Sequence, residues 1–182
     1  MAEHRLILID RDGVINDEAA GFVKHVSEFH AIPGSLEAIA RLSRAGHRVA
    51  IVTNQSGLAR SLFSLQDLEE IHRELLDRVA ERGGRIDRIE ICPHLPTTGC
   101  ACRKPAPGML ARAAEALGFE PDQSILIGDR ASDLAAAEAF GCPGLLVRTG
   151  HGGRTERAMH TIDTTRVFDD LAAAVNAVLG RS

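Results

Sequence analysis

The feature that most constrains this chain is the segment from Arg5 to Val14, RLILIDRDGV, in which an apolar run ends in two closely spaced aspartates. An uninterrupted run of this kind is typical of a strand that is buried in a parallel sheet. Alternate side chains of a strand point the same way, so Asp10 and Asp12 should leave its end together, and Gly13 lets the chain turn sharply. Such a pair can supply a nucleophile and a proton carrier. On these residues alone, a strand followed by a solvated acidic turn fits equally well.

Two further apolar segments, 48–53 and 124–128, also end in polar residues. The first continues into Thr53-Asn54-Gln55-Ser56-Gly57, and the second continues into Gly128-Asp129-Arg130-Ala131-Ser132-Asp133. Between them, Arg103-Lys104-Pro105 stands just ahead of a predicted helix. Ligands of open parallel sheets bind beyond the carboxyl ends of the strands. The pattern therefore predicts that these polar groups meet at one edge of a sheet.

Taken in order, Asp-x-Asp, Thr-Asn, Lys-Pro and Gly-Asp-x₃-Asp resemble the four motifs of the haloacid dehalogenase superfamily of phosphohydrolases, over nearly the whole chain. The resemblance implies the Rossmann-like fold of that superfamily. The alternation of strands and helices likewise predicts an α/β protein with a three-layer, doubly wound parallel sheet. Large caps in this superfamily follow the first motif or separate the second from the third. Here residues 16–31 fit only a short hairpin flap, and the second gap is also short, so no large cap domain is expected.

Capping signals divide the rest of the chain into elements. Ser35 and Ser64 are predicted N-caps of helices that end near Ala45 and Glu81. The second of these helices is predicted to bury one face, made of Leu65, Leu68, Ile71, Leu75, Leu76 and Val79. Further strands are predicted at 88–92 and 145–148, helices at 107–117, 134–140 and 167–179, and a solvated loop at 149–165.

Length and composition favour one enzyme domain over residues 1–182, with enough interior for a core. The net charge of −4 gives no general attraction to nucleic acid or to an anionic membrane. Tyr and Trp are absent, which removes the usual platforms for stacking bases. The sequence contains neither an apolar stretch of membrane-spanning length nor a secretory leader. We therefore expect a cytoplasmic protein that acts on a small molecule, and a monomer because no long apolar stripe is left over.

The loop at 92–102 combines three cysteines with one histidine. Cys92 and His94 form one pair and Cys100 and Cys102 the other, about eight residues apart, which is a complete tetrahedral Zn²⁺ ligand set. A disulfide is the alternative, but it would leave one thiol over, and a cytoplasmic protein keeps its thiols reduced. Because the protein fills all four positions, the zinc would be structural. Cys142 is expected to be an ordinary core residue.

A narrower resemblance follows from these segments together. The aspartate motif, the short flap, TNQSG, the Cys-x-His and Cys-x-Cys-Arg-Lys-Pro segments and Gly-Asp-Arg resemble the D-glycero-D-manno-heptose-1,7-bisphosphate 7-phosphatases. The zinc-bearing histidinol-phosphate phosphatases share most of these features and are the alternative. The first resemblance implies a sugar bisphosphate as substrate and a role in making nucleotide-activated heptose for lipopolysaccharide. The second implies a step in histidine biosynthesis.

The resemblance also implies a mechanism. Asp10 would attack phosphorus to form an aspartyl-phosphate, while Asp12 would protonate the leaving alkoxide and later deprotonate the attacking water. Mg²⁺ would be held by Asp10, the Asp12 carbonyl and Asp129, with Asp133 as support or, alternatively, as a helix N-terminal acid. The roles expected of the remaining motif residues are charge stabilisation by Thr53 and Lys104, and substrate binding by Asn54, Gln55, Ser56, Arg103 and Arg130.

Surface arginines are common, so Arg130 fits a surface role about as well as a binding role, whereas Arg103 is fixed between a zinc ligand and Lys104. Histidines other than His94 are expected at the surface or at the boundary of the core. Two other classes of function remain as alternatives. A non-catalytic binding protein on this fold would have lost motif residues that are all present here. A phosphotransferase would need a cap that excludes water from the phospho-aspartate.

Overall fold

The computed structural model describes residues 4–18, 21–159, 163 and 166–180. Its centre is a parallel sheet of six strands in the order β3-β2-β1-β4-β5-β6. The strands are β1 (Leu6–Ile9), β2 (Arg48–Asn54), β3 (Arg88–Cys92), β4 (Ser124–Gly128), β5 (Gly144–Val147) and β6 (Val167–Phe168). This arrangement confirms the predicted α/β fold with a doubly wound parallel sheet.

Helices cover both faces of the sheet. They are α1 (Ser35–Arg44), α2 (Leu65–Ala80), α3 (Gly108–Leu117), α4 (Ala131–Phe140), α5 (Gly152–Ala158) and α6 (Leu171–Val178), with 3₁₀ turns at Val26–Glu28, Pro96–Thr98 and Pro121–Gln123. On one face, α1 packs against α2 and α6. On the other face, α3 packs against α4. The result is the predicted three-layer sandwich.

The alternation of side chains along β1 produces the two halves of the core. Ile7 and Ile9 belong to the cluster beneath α1, α2 and α6, whereas Leu6 and Leu8 belong to the cluster beneath α3 and α4. All four side chains are fully buried. A strand that is covered on both faces reads as a continuous apolar run, which explains the sequence of β1.

β1 lies at the point where the order of strands reverses, because it pairs with β2 on one side and β4 on the other. Ile9 is in register with Ile51 and with Ile127, and the Asp10 N–H donates to the Ile127 carbonyl at 3.0 Å. The carboxyl ends of β1, β2 and β4 therefore lie side by side. Such a switch point is where open α/β sheets bind their ligands.

Helix capping follows the sequence closely at α2 and less closely at α1. Ser64 is the N-cap of α2, and its side chain and that of Asp67 bond reciprocally to each other's backbone N–H groups. The N-cap of α1 is Gly34 rather than Ser35, which is the first helical residue and donates its hydroxyl to the Ile15 carbonyl. The predicted apolar face of α2 was wrong at its margins, because Leu65 and Leu76 are 54% and 37% exposed.

Two predictions near the C-terminal end were wrong. Residues 167–179 are not one helix, because Val167 and Phe168 pair with β5, and the Asp170 side chain then caps α6 at the Ala173 N–H. A two-residue strand is too short to show any periodicity. The expected loop 149–165 contains α5, whose paired glycines hide the helix at the sequence level. The rest of that prediction, at 160–162 and 164–165, lies outside the described residues.

The segment between β1 and α1 forms the short flap, and no large cap is evident in the described chain. At its base the Asp17 N–H donates to the His30 carbonyl at 2.8 Å, and Asn16 bridges to Ala31 in antiparallel fashion. Further out, the Phe22 ring lies 6.0 Å from the Phe63 ring, which follows β2. The predicted flap residues Ala19 and Ala20 lie outside the described residues. No helix of the described segments is long and apolar enough to cross a bilayer.

Candidate active site

Asp10 and Lys104 form the centre of the site. Asp10 directly follows β1, and Lys104 follows the 92–102 loop, yet the Lys104 Nζ lies 3.0 Å from Asp10 Oδ1. The same Nζ contacts Asp133 Oδ1 at 2.6 Å and donates to the Val52 carbonyl at 2.8 Å. Burial alone would lower the pKa of Lys104, but the two carboxylates outweigh it and raise that pKa to about 12. Lys104 is therefore a fixed cation that orients Asp10.

Three carboxylates converge here, and they fit a divalent cation. One oxygen each from Asp10, Asp129 and Asp133 lies within 4.8 Å of the others. Burial raises the pKa of Asp10 to about 7, against the opposing charge of Lys104, and neighbouring carboxylates raise it further. Burial also raises the pKa of Asp129 to about 6. The raised pKa values mean that Lys104 alone does not offset the cost of ionising these carboxylates together, and oxygen ligands of this kind are those that Mg²⁺ prefers.

Asp129 has the geometry that best suits a metal ligand. Its Oδ2 accepts the His151 N–H at 2.7 Å, whereas its buried Oδ1 has no hydrogen-bond partner within the described segments. A Cβ on Gly13 or Gly150 would meet Asp129 Oδ2 at 2.4 or 2.3 Å, so only glycine fits at either position. A buried oxygen without a partner, on a carboxylate whose other oxygen is fixed by a hydrogen bond and by close packing, is what a metal ligand requires.

Asp133 is held on both sides by the protein itself. Its Oδ2 accepts the Arg130 N–H at 2.9 Å in a capping box at the start of α4, while its Oδ1 faces Lys104. Both interpretations of Asp133 therefore have a structural basis, since it is a helix N-terminal acid and also one of the three carboxylates that could hold a cation. The prediction that it supports the metal stays a prediction.

The Asp12 carboxylate lines the same cleft and accepts several hydrogen bonds from the protein. Arg11, Asn16 and Gln55 all donate to it, at 2.8 to 3.1 Å. Burial by itself would raise the pKa of Asp12, but the Arg11 charge and the side-chain donors outweigh it and lower that pKa. The resting side chain is therefore an ionised base with a fixed orientation.

Thr53 and Asn54 at the end of β2, and Gln55 directly after it, have distinct contacts. Gln55 donates from Nε2 to Thr53 Oγ1 at 2.9 Å, which leaves the Thr53 hydroxyl hydrogen free to donate to a ligand. The Asn54 amide pairs with the backbone of Lys104, accepting its N–H at 3.1 Å and donating to its carbonyl at 3.2 Å. Gln55 is fully buried beneath the cleft and does not line it, but its side chain donates to two residues that do, Thr53 and Asp12.

Two arginines and the flap surround the mouth of the cleft. Arg103 is half-buried, and its Nη1 donates a long hydrogen bond of 3.4 Å to the His94 carbonyl. Arg130 is 44% exposed and pairs with Glu18 of the flap, which also contacts His151. Glu18 thereby links the flap to the loops that follow β4 and β5.

The cleft has a volume of about 300 Å³. Nine of the predicted site residues line it, namely Asp10, Asp12, Thr53, Asn54, Ser56, Arg103, Lys104, Arg130 and Asp133. Phe22 and Glu18 of the flap complete part of its wall. Gln55 and Asp129 are fully buried behind this surface.

The predicted zinc ligands converge at the end of β3. The Cys102 Sγ lies 3.1 Å from Cys92 Sγ, 3.4 Å from Cys100 Sγ and 3.2 Å from His94 Nδ1. Sulfurs on a tetrahedral Zn²⁺ at about 2.3 Å would be roughly 3.8 Å apart, so the four atoms are arranged slightly tighter than a zinc cage. The sulfur separations exceed a disulfide bond, and all four cysteines are free. The residues present fit a structural Zn²⁺.

Sequence reasoning missed two residues beside the site. Arg11 is fully buried against Asp12, and His72 of α2 contacts the other side of its guanidinium at 3.2 Å. His72 was expected at the surface or the core boundary, and it lies at that boundary, where it also touches the arginine of the aspartate motif. A signal for Arg11 did exist, because an arginine next to a strand buried on both faces needs an acidic partner. No pattern in the sequence around His72 indicated its contact with Arg11.

Comparison with known proteins gives consistent results. Residues 101–174 match the HAD-hydrolase-like family. The D-glycero-beta-D-manno-heptose-1,7-bisphosphate 7-phosphatase of Pseudomonas aeruginosa is 47% identical over 174 residues, which cover 96% of this chain and 97% of that protein. The corresponding enzyme of Bordetella bronchiseptica is 45% identical over 175 residues, 96% of this chain and 98% of that protein.

Two solved structures extend the similarity to the fold. The crystal structure of D,D-heptose 1,7-bisphosphate phosphatase from B. bronchiseptica, complexed with magnesium and phosphate, has a TM-score of 0.92 at 45% identity. The match covers 97% of this chain and 98% of that one. The enzyme from Burkholderia thailandensis has a TM-score of 0.76 at 37% identity, over 97% and 99% of the two chains.

Proposed function

The chain belongs to the heptose-1,7-bisphosphate 7-phosphatase family of HAD-like hydrolases, and on that premise we propose that it removes the 7-phosphate of D-glycero-D-manno-heptose 1,7-bisphosphate. It is a phosphoric monoester hydrolase that depends on Mg²⁺. The observation that carries the proposal is the buried Asp10 carboxylate, fixed by Lys104 at the end of β1 and beside Asp129. A relative at 45% identity and TM-score 0.92 binds magnesium and phosphate.

The chemistry proceeds through an aspartyl-phosphate. Asp12 is ionised at rest, and the charge of a bound phosphate dianion raises its pKa, so that it takes up a proton from solvent when the substrate binds. Asp10 then attacks phosphorus, and the bond from phosphorus to the sugar oxygen breaks as Asp12 gives that oxygen its proton. Asp12 then takes a proton from the water that attacks the aspartyl-phosphate, which releases orthophosphate and restores Asp10. The free hydroxyl hydrogen of Thr53 and the charge of Lys104 stabilise the transferring group.

Asp10, Asp129 and the Asp12 carbonyl would hold Mg²⁺, with Asp133 in support. When bound, the ion neutralises part of the phosphate charge that would otherwise repel the carboxylates. Asn54 acts by fixing the backbone of Lys104, and Gln55 acts from beneath the surface through Thr53 and Asp12. Ser56, Arg103 and Arg130 contact the substrate directly from the wall of the cleft.

The bisphosphate is favoured over histidinol phosphate by the composition of the cleft. Arg103 and Arg130 line it and suit a second dianion, whereas Phe22 is the one aromatic residue in its wall among the described residues. The relatives with 41–47% identity are named for the beta anomer, which makes that anomer the proposed substrate. A non-catalytic role is disfavoured because all motif residues are present, and phosphotransfer is disfavoured because the cleft is open to water.

The proposed setting is the making of nucleotide-activated heptose for lipopolysaccharide, as a monomeric enzyme with one phosphatase domain over residues 1–182. Two core clusters on opposite faces of one sheet support a single domain. Thiols gathered around a metal site rather than joined as disulfides are typical of the cytoplasm, which is the proposed compartment.

The test is the Asp10→Asn variant, which keeps the shape of the side chain but removes its nucleophilic oxygen. We expect it to abolish Mg²⁺-dependent phosphate release from the heptose bisphosphate and to leave the circular dichroism spectrum unchanged. The matched control is Asp122→Asn, an exposed aspartate at the opposite end of β4, which should retain full activity. Full activity of the Asp10 variant would contradict the mechanism.

A further inference from the structure

Arg11 is the largest side chain in the described protein that is completely buried. It stands between the two catalytic aspartates, and its backbone N–H donates to Asp10 Oδ1 at 2.8 Å. Its side chain turns toward α2 and forms an ion pair with its neighbour Asp12. Nothing in the chemistry derived above uses this cation. Burying an arginine costs desolvation free energy, so we expect that its position serves a role.

The contact between Arg11 and Asp12 is bidentate. Arg11 donates from Nε to Asp12 Oδ1 at 3.1 Å, and from Nη2 to both carboxylate oxygens at 3.0 Å. Asn16 adds a bond to Oδ1 at 3.0 Å, and Gln55 adds one to Oδ2 at 2.8 Å. A planar guanidinium that meets a carboxylate in this way fixes the orientation of the carboxylate as well as its position.

His72 holds the far side of the same guanidinium. Its Nε2 lies 3.2 Å from Arg11 Nη1. Since a guanidinium can only donate, His72 must accept here with an unprotonated Nε2. His72 projects from the middle of α2, 61 residues along the chain from Arg11. The helix therefore supports the arginine from behind, and the arginine supports Asp12.

One face of Asp12 stays open despite these bonds. Its side chain is 22% exposed, while that of Arg11 is 0% exposed, and the open face lines the cleft beside Asp10. The protein thus surrounds the carboxylate on the side away from the substrate and leaves free the side from which a proton can pass. Displacement of a catalytic group by about 1 Å can cost about 100-fold in rate, so such support has kinetic value.

We propose that Arg11 and His72 are positioning residues that hold the carboxylate of Asp12 in line with the bond being broken. Neither residue touches the substrate. The inference rests on the proposed function only through the proton-transfer role of Asp12. It makes Arg11, which separates the two motif aspartates, part of the catalytic machinery rather than an incidental residue of the motif.

The two half-reactions depend on Asp12 differently according to the leaving group. A sugar alkoxide needs a proton as it leaves, whereas p-nitrophenolate leaves without one. The hydrolysis of the aspartyl-phosphate needs Asp12 as a base with either substrate. A misplaced Asp12 should therefore slow both steps with the sugar phosphate but only the second step with p-nitrophenyl phosphate.

The test uses the Mg²⁺-loaded enzyme and rapid-mixing kinetics. For Arg11→Met we expect kcat on the heptose bisphosphate to fall by about 100-fold, with KM changed by less than about threefold. With p-nitrophenyl phosphate we expect a fast burst of about one nitrophenolate per active site, followed by slow turnover. The proposal would be overturned if the rate constant of the burst fell by the same factor as steady-state turnover in a variant with a native circular dichroism spectrum.

His72 provides a second test if Arg11→Met does not fold. His72→Leu removes the acceptor and should lower kcat by about tenfold, whereas His72→Gln offers an amide oxygen and should recover to within about threefold of wild type. The matched control is His47→Leu, because His47 is a buried histidine away from the cleft, whose Nδ1 accepts the Arg5 N–H at 3.1 Å. It should lower stability and leave kcat unchanged.

Equal kcat values for His72→Leu, His72→Gln and wild type would contradict the proposal. Failure of the proposed substrate has a separate signature. Wild-type enzyme that does not act on the heptose bisphosphate would contradict the proposed function, whereas the burst comparison with p-nitrophenyl phosphate would still support or overturn the role of Arg11.

Discussion

At the scale of single residues, Lys104 shows how one side chain connects distant segments. The three hydrogens of its Nζ face three partners in different elements. These are Asp10 directly after β1, the Val52 carbonyl of β2 and Asp133 of α4. The side chain is 2% exposed, so these partners fully occupy it. Lys104 therefore acts on a phosphoryl group mainly through its charge and through the position that it gives to Asp10.

Arg103 differs, because it lines the cleft and its guanidinium is held by a long hydrogen bond to the His94 carbonyl. We predict that Arg103→Ala lowers kcat/KM on the heptose bisphosphate by about 30- to 800-fold, equivalent to about 2–4 kcal/mol for one charge-assisted bidentate contact. The loss should be much smaller on the 7-monophosphate, which has no second phosphate to bind. Phosphate-release assays on both substrates measure the difference.

The control for Arg103→Ala is Arg73→Ala, because Arg73 is exposed on α2 and is absent from the wall of the cleft. This variant should behave like wild type on both substrates. An equal loss on the bisphosphate and the monophosphate would show that Arg103 does not recognise the second phosphate.

At the scale of elements, the 92–102 loop joins the end of β3 to the catalytic lysine. The Cys92 carbonyl accepts the Gln55 N–H at 2.8 Å, and Cys102 directly precedes Arg103 and Lys104. A loop of this length with little apolar side chain to bury needs another source of order, and four converging metal ligands supply it. The zinc site is thus a structural support for two residues of the cleft.

We predict about one tightly bound Zn²⁺ per chain, which remains after Mg²⁺ is removed. Cys100→Ser should lose that zinc and raise KM substantially, because the loop carries Arg103. The thermal stability of the core should change little, because the loop lies at the edge of the sheet. Elemental analysis and steady-state kinetics measure the two effects. Cys142→Ser is the control, since Cys142 is buried outside the cluster and its loss should leave the zinc content unchanged. Protein without zinc and with a disulfide in this loop would refute the assignment.

The elements that the sequence predicts well are those with a strong local pattern. β1, β2 and β4 are apolar runs followed by polar residues, and Ser64 with Asp67 signals the start of α2 directly. β6 has two residues and is defined only by its pairing with β5, so no local pattern could reveal it. The contact of His72 with Arg11 spans 61 residues and depends on the packing of α2 on the sheet, which lies beyond the reach of sequence periodicity.

At the scale of the whole molecule, the parallel sheet explains why residues from four distant segments meet. β1 separates β2 from β4 at the switch point, so their three carboxyl ends deliver Asp10, Thr53 and Asp129 to one place. The ordered motifs predicted this meeting, because strand ends of a parallel sheet share an edge. The depth of each side chain was not predictable, as the complete burial of Gln55 illustrates. Without a large cap, the choice of substrate depends on the arginines and on the flap.

The most direct test of the central claim is a side-by-side measurement of Mg²⁺-dependent turnover of heptose 1,7-bisphosphate and histidinol phosphate, with ³¹P NMR of the sugar product. We predict that the bisphosphate is hydrolysed far faster and that the product keeps its phosphate at carbon 1. Equal or faster turnover of histidinol phosphate, or a product that keeps its phosphate at carbon 7, would contradict it.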